Sequence, residues 1–165
     1  NSGDIYEGTW IDDRFIGCGR LLRSDGSIMQ GFFSDFLLKL KGEYRNLDGL
    51  YYKGEFKFNI RQGSGTEVTA TYKYIGSFYD NKKHGNGKIE YIDTKEIYEG
   101  DFLENNITGK GIYIWGNGDK FSGDFYNGKM HGYGEYEWKD GNKYIGDYKH
   151  NIKEGRGKFY CINWS

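Results

Sequence analysis

One five-residue pattern, an aromatic or Met, any residue, Gly, any residue and an aromatic, recurs seven times along this chain at nearly constant spacing. It appears as Tyr6-Glu7-Gly8-Thr9-Trp10, Met29-Gln30-Gly31-Phe32-Phe33, Tyr52-Lys53-Gly54-Glu55-Phe56 and Tyr74-Ile75-Gly76-Ser77-Phe78. It continues as Tyr98-Glu99-Gly100-Asp101-Phe102, Phe121-Ser122-Gly123-Asp124-Phe125 and Tyr144-Ile145-Gly146-Asp147-Tyr148. The starts fall at 6, 29, 52, 74, 98, 121 and 144. Self-similarity at about this period identifies a repeat architecture, in which no unit buries its apolar face alone.

Two further marks ride on the repeat. Eleven residues after each start comes Gly-x-Gly, as in Gly109-Lys110-Gly111 and Gly132-Tyr133-Gly134. The second unit keeps only Gly42 and carries Leu40 where the first Gly belongs. A Gly near the end of the unit survives as Gly26, Gly49, Gly118 and Gly141. The third and fourth units lack it, and they adjoin the 22- and 24-residue spacings.

The local period is two. Tyr98, Gly100 and Phe102 fall on one strand face and Glu99 and Asp101 on the other; Gly134, Tyr136 and Trp138 likewise oppose Glu135 and Glu137. The spacing predicts two strands per unit separated by about six loop residues, with Asp140-Gly141 a tight turn into the next unit. The predicted fold is therefore all-β, a single-layer elongated antiparallel meander of about fourteen strands, on the order of 65 Å long. Composition fits. With 27 Gly, 16 Tyr, 11 Phe and no Pro, the apolar material is mostly rings rather than an aliphatic core.

These residues carry a family resemblance. Tyr144–Tyr148 with Gly155-Arg156-Gly157, and Phe121–Phe125 with Gly132-Tyr133-Gly134, resemble the MORN (membrane occupation and recognition nexus) repeat. The resemblance runs from residue 6 to about 160, so residues 1–165 are expected to form one MORN-repeat array. An eighth unit would start near residue 167, which predicts a parent protein that continues. Met29, Leu40 and the irregular spacing depart from the pattern and are expected to mark a bend or an irregular turn.

No catalytic constellation emerges. His84 and His131 share one slot two repeats apart, about 19 Å by strand steps, too far to share a metal. His150 has no Cys or His partner at metal-ligand spacing in the sequence. No Gly-x-Gly continues as a phosphate loop, and the acidic residues alternate onto a solvated face. Cys18 and Cys161, at opposite ends of the chain, read as packed free thiols rather than a disulfide framework. The sequons Asn106-Ile107-Thr108 and Asn163-Trp164-Ser165 carry no meaning in a cytosolic chain. The expectation is a chain that is not an enzyme and needs no cofactor and no metal. A net charge of −1 and a pI near 6.4 argue against nucleic acid as a partner.

What such a sheet offers is area. Trp10, Phe33, Phe56, Phe78, Phe102, Phe125 and Tyr148 form one row from first strands; Tyr91, Tyr113, Trp115, Tyr136, Trp138 and Phe159 form another from second strands. Either the rings only stack on each other, or part of them lines a groove for an extended peptide or amphipathic helix of a protein partner. Phe36, Leu37 and Leu38 stand where other units place polar loop residues. They either fold over the irregular unit or contact a partner or a second copy, giving a homodimer. The resemblance itself implies scaffolding, partner docking and self-association, in a cytoplasmic, cytoskeletal or membrane-cortex setting. It also implies an alternative, peripheral binding of anionic, phosphoinositide-containing membrane, for which Lys82 and Lys83 are the candidate contacts. A third implication is a regulatory region of a larger enzyme such as a lipid kinase or SET-domain methyltransferase.

Overall fold

A computed structural model describes residues 3–162. All regular structure among them is β: fourteen strands in seven hairpins. The chain forms two compact units, one ending at Lys82 and the other beginning at Lys83. The first contains β1 (Ile5–Ile11), β2 (Arg14–Leu22), β3 (Ile28–Ser34), β4 (Leu37–Arg45), β5 (Tyr51–Lys57), β6 (Ile60–Val68) and β7 (Tyr72–Tyr79). The second is built from β8 (Lys82–Tyr91), β9 (Ile97–Leu103), β10 (Asn106–Ile114), β11 (Lys120–Tyr126), β12 (Lys129–Glu137), β13 (Lys143–Lys149) and β14 (Ile152–Tyr160). Within each unit consecutive strands pair antiparallel, the meander that the repeat predicts.

The glycines explain the register. Gly100 pairs with Gly87 and Gly111, and Gly134 pairs with Gly123 and Gly146. This glycine row is a floor on which the start rings Tyr52, Tyr98, Phe121 and Tyr144 lie, while Phe15 and Leu38 take that place in the first two hairpins. A Cβ at Gly134 would collide with the Phe121 ring, and one at Gly111 would meet the Tyr98 ring. The start ring then packs edge-on against the ring four residues on: Tyr52–Phe56 at 5.1 Å, Tyr98–Phe102 at 5.3 Å and Phe121–Phe125 at 5.2 Å, each within about 10° of perpendicular. Neighbouring hairpins interlock the same way, through Tyr52–Phe78 at 4.9 Å, Tyr98–Phe125 at 5.2 Å and Phe121–Tyr148 at 5.1 Å. Edge-to-face pairs contribute about 0.5–1.5 kcal/mol each beyond their buried area. Such a herringbone supplies the core that aliphatic residues cannot.

The turns differ from expectation. Inside each hairpin the connection is two residues, not about six, and both take positive φ: Asp12-Asp13, Asp35-Phe36, Phe58-Asn59, Asp80-Asn81, Glu104-Asn105, Asn127-Gly128 and His150-Asn151. This is the mirror-image turn that matches strand twist. The second strands therefore start earlier than the sequence pattern suggests. The Asn at the second turn position also binds the preceding hairpin. Asn105 Oδ1 accepts the Lys83 N–H at 2.9 Å while its own N–H donates to the Lys83 carbonyl, and Asn151 does the same to Met130. Between hairpins the Gly-marked connection is a five-residue turn rather than a two-residue one. Trp138 N–H donates to Asn142 O, and Gly141, at φ 86°, donates to Trp138 O.

Candidate functional site

The start rings and the first-strand row close the core rather than line a groove. Phe33, Phe56, Phe78, Phe102, Phe125 and Tyr148 are all buried, which corrects the expectation that they present an accessible aromatic row. Alternation places them on the ring-bearing face, and the edge-on packing over the glycine floor leaves no free surface on them. Of that row only Trp10 is exposed, and it packs on Phe15 and Phe36.

The second-strand row behaves differently. In the second unit Tyr113, Trp115, Tyr136 and Trp138 are half-buried and run as a continuous strip. Successive centroids lie 4.8 Å (Tyr113–Trp115), 5.2 Å (Trp115–Tyr136) and 4.8 Å (Tyr136–Trp138) apart, and Trp138 reaches exposed Phe159 at 5.4 Å. The two tryptophans do not lie within strands as expected. Each follows its strand directly and opens the five-residue turn.

Polar groups fix the strip from its rim. Tyr113 OH donates to Glu96 Oε2 at 2.9 Å, and Tyr136 OH donates to Asp119 Oδ2 at 2.8 Å. Burial, together with these carboxylates, pushes both phenols upward, Tyr136 to about 12. Both stay neutral donors at physiological pH. Asp119 is held low, chiefly by the Lys139 N–H at 2.9 Å and also by the Tyr136 hydroxyl. Lys153 Nζ sits 4.4 Å from the Trp138 ring centroid and 4.9 Å from that of Tyr144. The strip is thus apolar on its face, with carboxylates and a lysine beside it.

In the first unit the strip is interrupted. Glu67, 3% exposed, holds the position of Tyr113 and Tyr136. It pairs with Arg61 and accepts the Tyr72 hydroxyl at 2.7 Å, while the Arg61 guanidinium covers the Tyr52 and Phe78 rings at 5.4 Å. Arg61 and Glu67 lie six residues apart with nothing in the repeat to announce a pair. The pair's only mark in the sequence is an acidic residue on an otherwise aromatic slot.

Other candidates are also relocated. Leu38 is wholly buried and fills the glycine floor of its hairpin, within 3 Å of where a Gly42 Cβ would lie. Phe36 is half-buried against Tyr6 at 5.3 Å and Trp10 at 5.6 Å, and Leu37 is half-buried at the start of β4. Leu38 thus packs within the irregular unit, whereas Phe36 packs back on β1 of the preceding hairpin. Lys83, a proposed lipid contact, is only 8% exposed, and Lys82 is half-buried, so the pair offers little charge to a surface. His150 has a histidine neighbour after all: the His131 ring lies 5.1 Å away, with Tyr126 beside both. Among the described residues no group of three or more His, Cys, Asp or Glu is placed to hold a metal. Cys18 and Cys161 are free, and both are exposed rather than packed. Asn106 opens β10, whereas the sequon at Asn163 lies outside the described residues.

The MORN repeat family model matches residues 6–28, 52–72, 74–94, 98–120, 121–143 and 144–165. The hairpin it omits, β3–β4, has the same strand pairing but carries Met29 and Leu40 at marked positions. Six matches spread over most of the sequence establish that this chain belongs to the MORN repeat family.

Proposed function

We propose that the chain is a non-catalytic interaction module that presents the Tyr113–Trp115–Tyr136–Trp138 strip to an extended peptide or amphipathic helix of a protein partner. MORN repeats are in general modules for protein and membrane interaction. The observation that carries this reading is the contrast between the two aromatic rows. Apart from Trp10, the first-strand rings of that row are buried in the core, whereas the second-strand strip stays partly exposed and has its hydroxyls anchored at the rim. Tyr and Trp give a large contact area at low conformational cost, which suits them to docking. Lysine and carboxylates beside the strip would set the orientation of a bound segment.

The test compares proteins retained by immobilised wild type with those retained by the double variant Trp115→Ala, Trp138→Ala, after circular dichroism and melting confirm that both fold. A partner held by wild type and lost by the variant supports the reading. Equal retention by a folded variant sinks it. Light scattering coupled to size exclusion, run on both proteins, reports whether the partner is a second copy.

A further inference from the structure

On the face opposite the rings, the repeat has a recurrent polar device at its β-bulge. In the later hairpins the residue after the first-strand Gly is Asp, and its carboxylate accepts the N–H of the middle residue of Gly-x-Gly. Asp101 Oδ2 takes Lys110 N–H at 3.0 Å, Asp124 Oδ2 takes Tyr133 N–H at 3.3 Å, and Asp147 Oδ2 takes Arg156 N–H at 3.1 Å. The first Gly of each pair has positive φ: 60° at Gly109, 63° at Gly132 and 85° at Gly155.

In the β3–β4 hairpin both members of this device are replaced together. Phe32 stands in the Asp position and Leu40 in that of the first Gly. The backbone does not adjust, since Leu40 keeps φ at 63°. A left-handed conformation costs a branched residue about 1–2 kcal/mol, and burial does not offset it, because Leu40 is 68% and Phe32 41% exposed. Strain held at an exposed apolar residue points to a role outside the fold. Phe32, Leu40 and Phe56 line an open groove of about 730 Å³ with Lys41, Glu55, Lys57 and Gln62, a volume in the range of ligand sites.

Charge identifies the occupant. Lys41 and Lys57 line the groove, and Lys39 lies beside it with Nζ 5.0 Å from the centroid of exposed Phe58. None of the three ammonium groups makes an ion pair with a carboxylate among the described residues. Glu55 is the single acid of the lining. We propose that this groove is a second docking site, which takes a peptide segment with a bulky apolar side chain flanked by carboxylates. The apolar side chain enters between Phe32 and Leu40, and the carboxylates meet the lysines. Three lysines against a single acid favour a carboxylate-bearing segment, and exposed Phe32 and Leu40 favour an apolar side chain between them.

Fluorescence anisotropy with labelled peptides of about twelve residues tests this, one carrying a central Trp between Asp and Glu residues and controls carrying Lys flanks or a central Ala. The wild-type chain is expected to bind the acidic Trp peptide about tenfold more tightly than either control. Leu40→Gly and Phe32→Asp, which restore the residues of the other hairpins, are expected to lose about tenfold in affinity. Trp115→Ala is expected to change nothing here, which separates this site from the aromatic strip. Equal binding of all peptides, or unchanged affinity in folded Leu40→Gly, overturns the proposal. So does a wild-type chain that ignores the peptides but either binds phosphatidylcholine–phosphatidylserine vesicles or dimerises in a Leu40-dependent way, since the occupant would then be a membrane or a second copy.

Discussion

The Tyr136 hydroxyl donates to Asp119 Oδ2 at 2.8 Å, and the other oxygen of that carboxylate, Oδ1, accepts the Lys139 N–H at 2.9 Å. One side chain thereby ties a ring of the strip to the two turns that carry Trp115 and Trp138. The bond also fixes how stability depends on pH. Burial first, and Asp119 second, raise Tyr136 to about 12, and burial raises Tyr74 to about 12 as well. A phenol whose folded pKa lies above its unfolded value stabilises fully below the unfolded value, and this is lost as pH rises through the folded one. Urea midpoints are expected to hold from pH 7 to about 10 and then fall steeply towards about 12. Tyr136→Phe should flatten part of that fall. A midpoint unchanged at pH 11 would contradict the buried-phenol account.

Gly134→Ala tests the glycine floor. Its new Cβ would strike the Phe121 ring and come 3.1 Å from the Ser122 carbonyl oxygen. Phe121 is fully buried and cannot move aside. Overpacking of this kind costs about 1–3 kcal/mol, expected as a drop of several degrees in melting temperature. Gly49→Ala is the matched control on space, since nothing lies within 4 Å there, although its φ of 85° adds some strain.

Period and alternation made the strands, the hairpin count and the ring-bearing face legible, because side-chain direction follows sequence position directly in a strand. Depth did not follow from them. Phe102 and Tyr113 both face the ring side, yet Phe102 is buried by edge-on rings and Tyr113 is left half-open, a difference set by packing between hairpins. The two-residue turns were hidden because pairs such as Glu104-Asn105 lack the glycine that usually announces positive φ. Their left-handed backbone is stabilised by the Asn side chain reaching the previous hairpin. The proximity of His131 and His150 is likewise a product of hairpin pairing, since 19 residues separate them in the chain.

Gly128→Asn turns that lesson into a gain. Gly128 holds the turn position occupied by Asn59, Asn81, Asn105 and Asn151, and its N–H already donates to the Ile107 carbonyl at 2.9 Å. An Asn there would add the missing acceptor for the Ile107 N–H, as Asn105 does for Lys83 at 2.9 Å. One such bond contributes about 0.5–1.5 kcal/mol. Thermal melting is expected to rise by a few degrees; a fall would show that the turn prefers Gly.

Glu67 and Arg61 form a pair that is costly to break and cheap to replace. Glu67→Leu leaves the guanidinium over the Tyr52 and Phe78 rings without its carboxylate and removes the acceptor of Tyr72. The expected loss is about 3–5 kcal/mol. Adding Arg61→Leu removes the stranded charge and should recover most of it, because apolar replacement of a buried pair is often neutral. A denaturation cycle over the four proteins measures this. Additive losses would mean that the two side chains act independently.

Leu40→Gly separates fold from surface. Hairpins with Gly109, Gly132 or Gly155 at this place reach the same positive φ without a Cβ in the way. Removing the Leu side chain relieves about 1–2 kcal/mol of left-handed strain. It gives up little burial, since the side chain is 68% exposed, and some of the gain is offset by the larger entropy of an unfolded glycine. The net expectation is a chain at least as stable as wild type, measured by urea midpoint at neutral pH. Destabilisation by more than about 1 kcal/mol would mean that Leu40 packs as part of the fold, and its exposure would then say nothing about a partner.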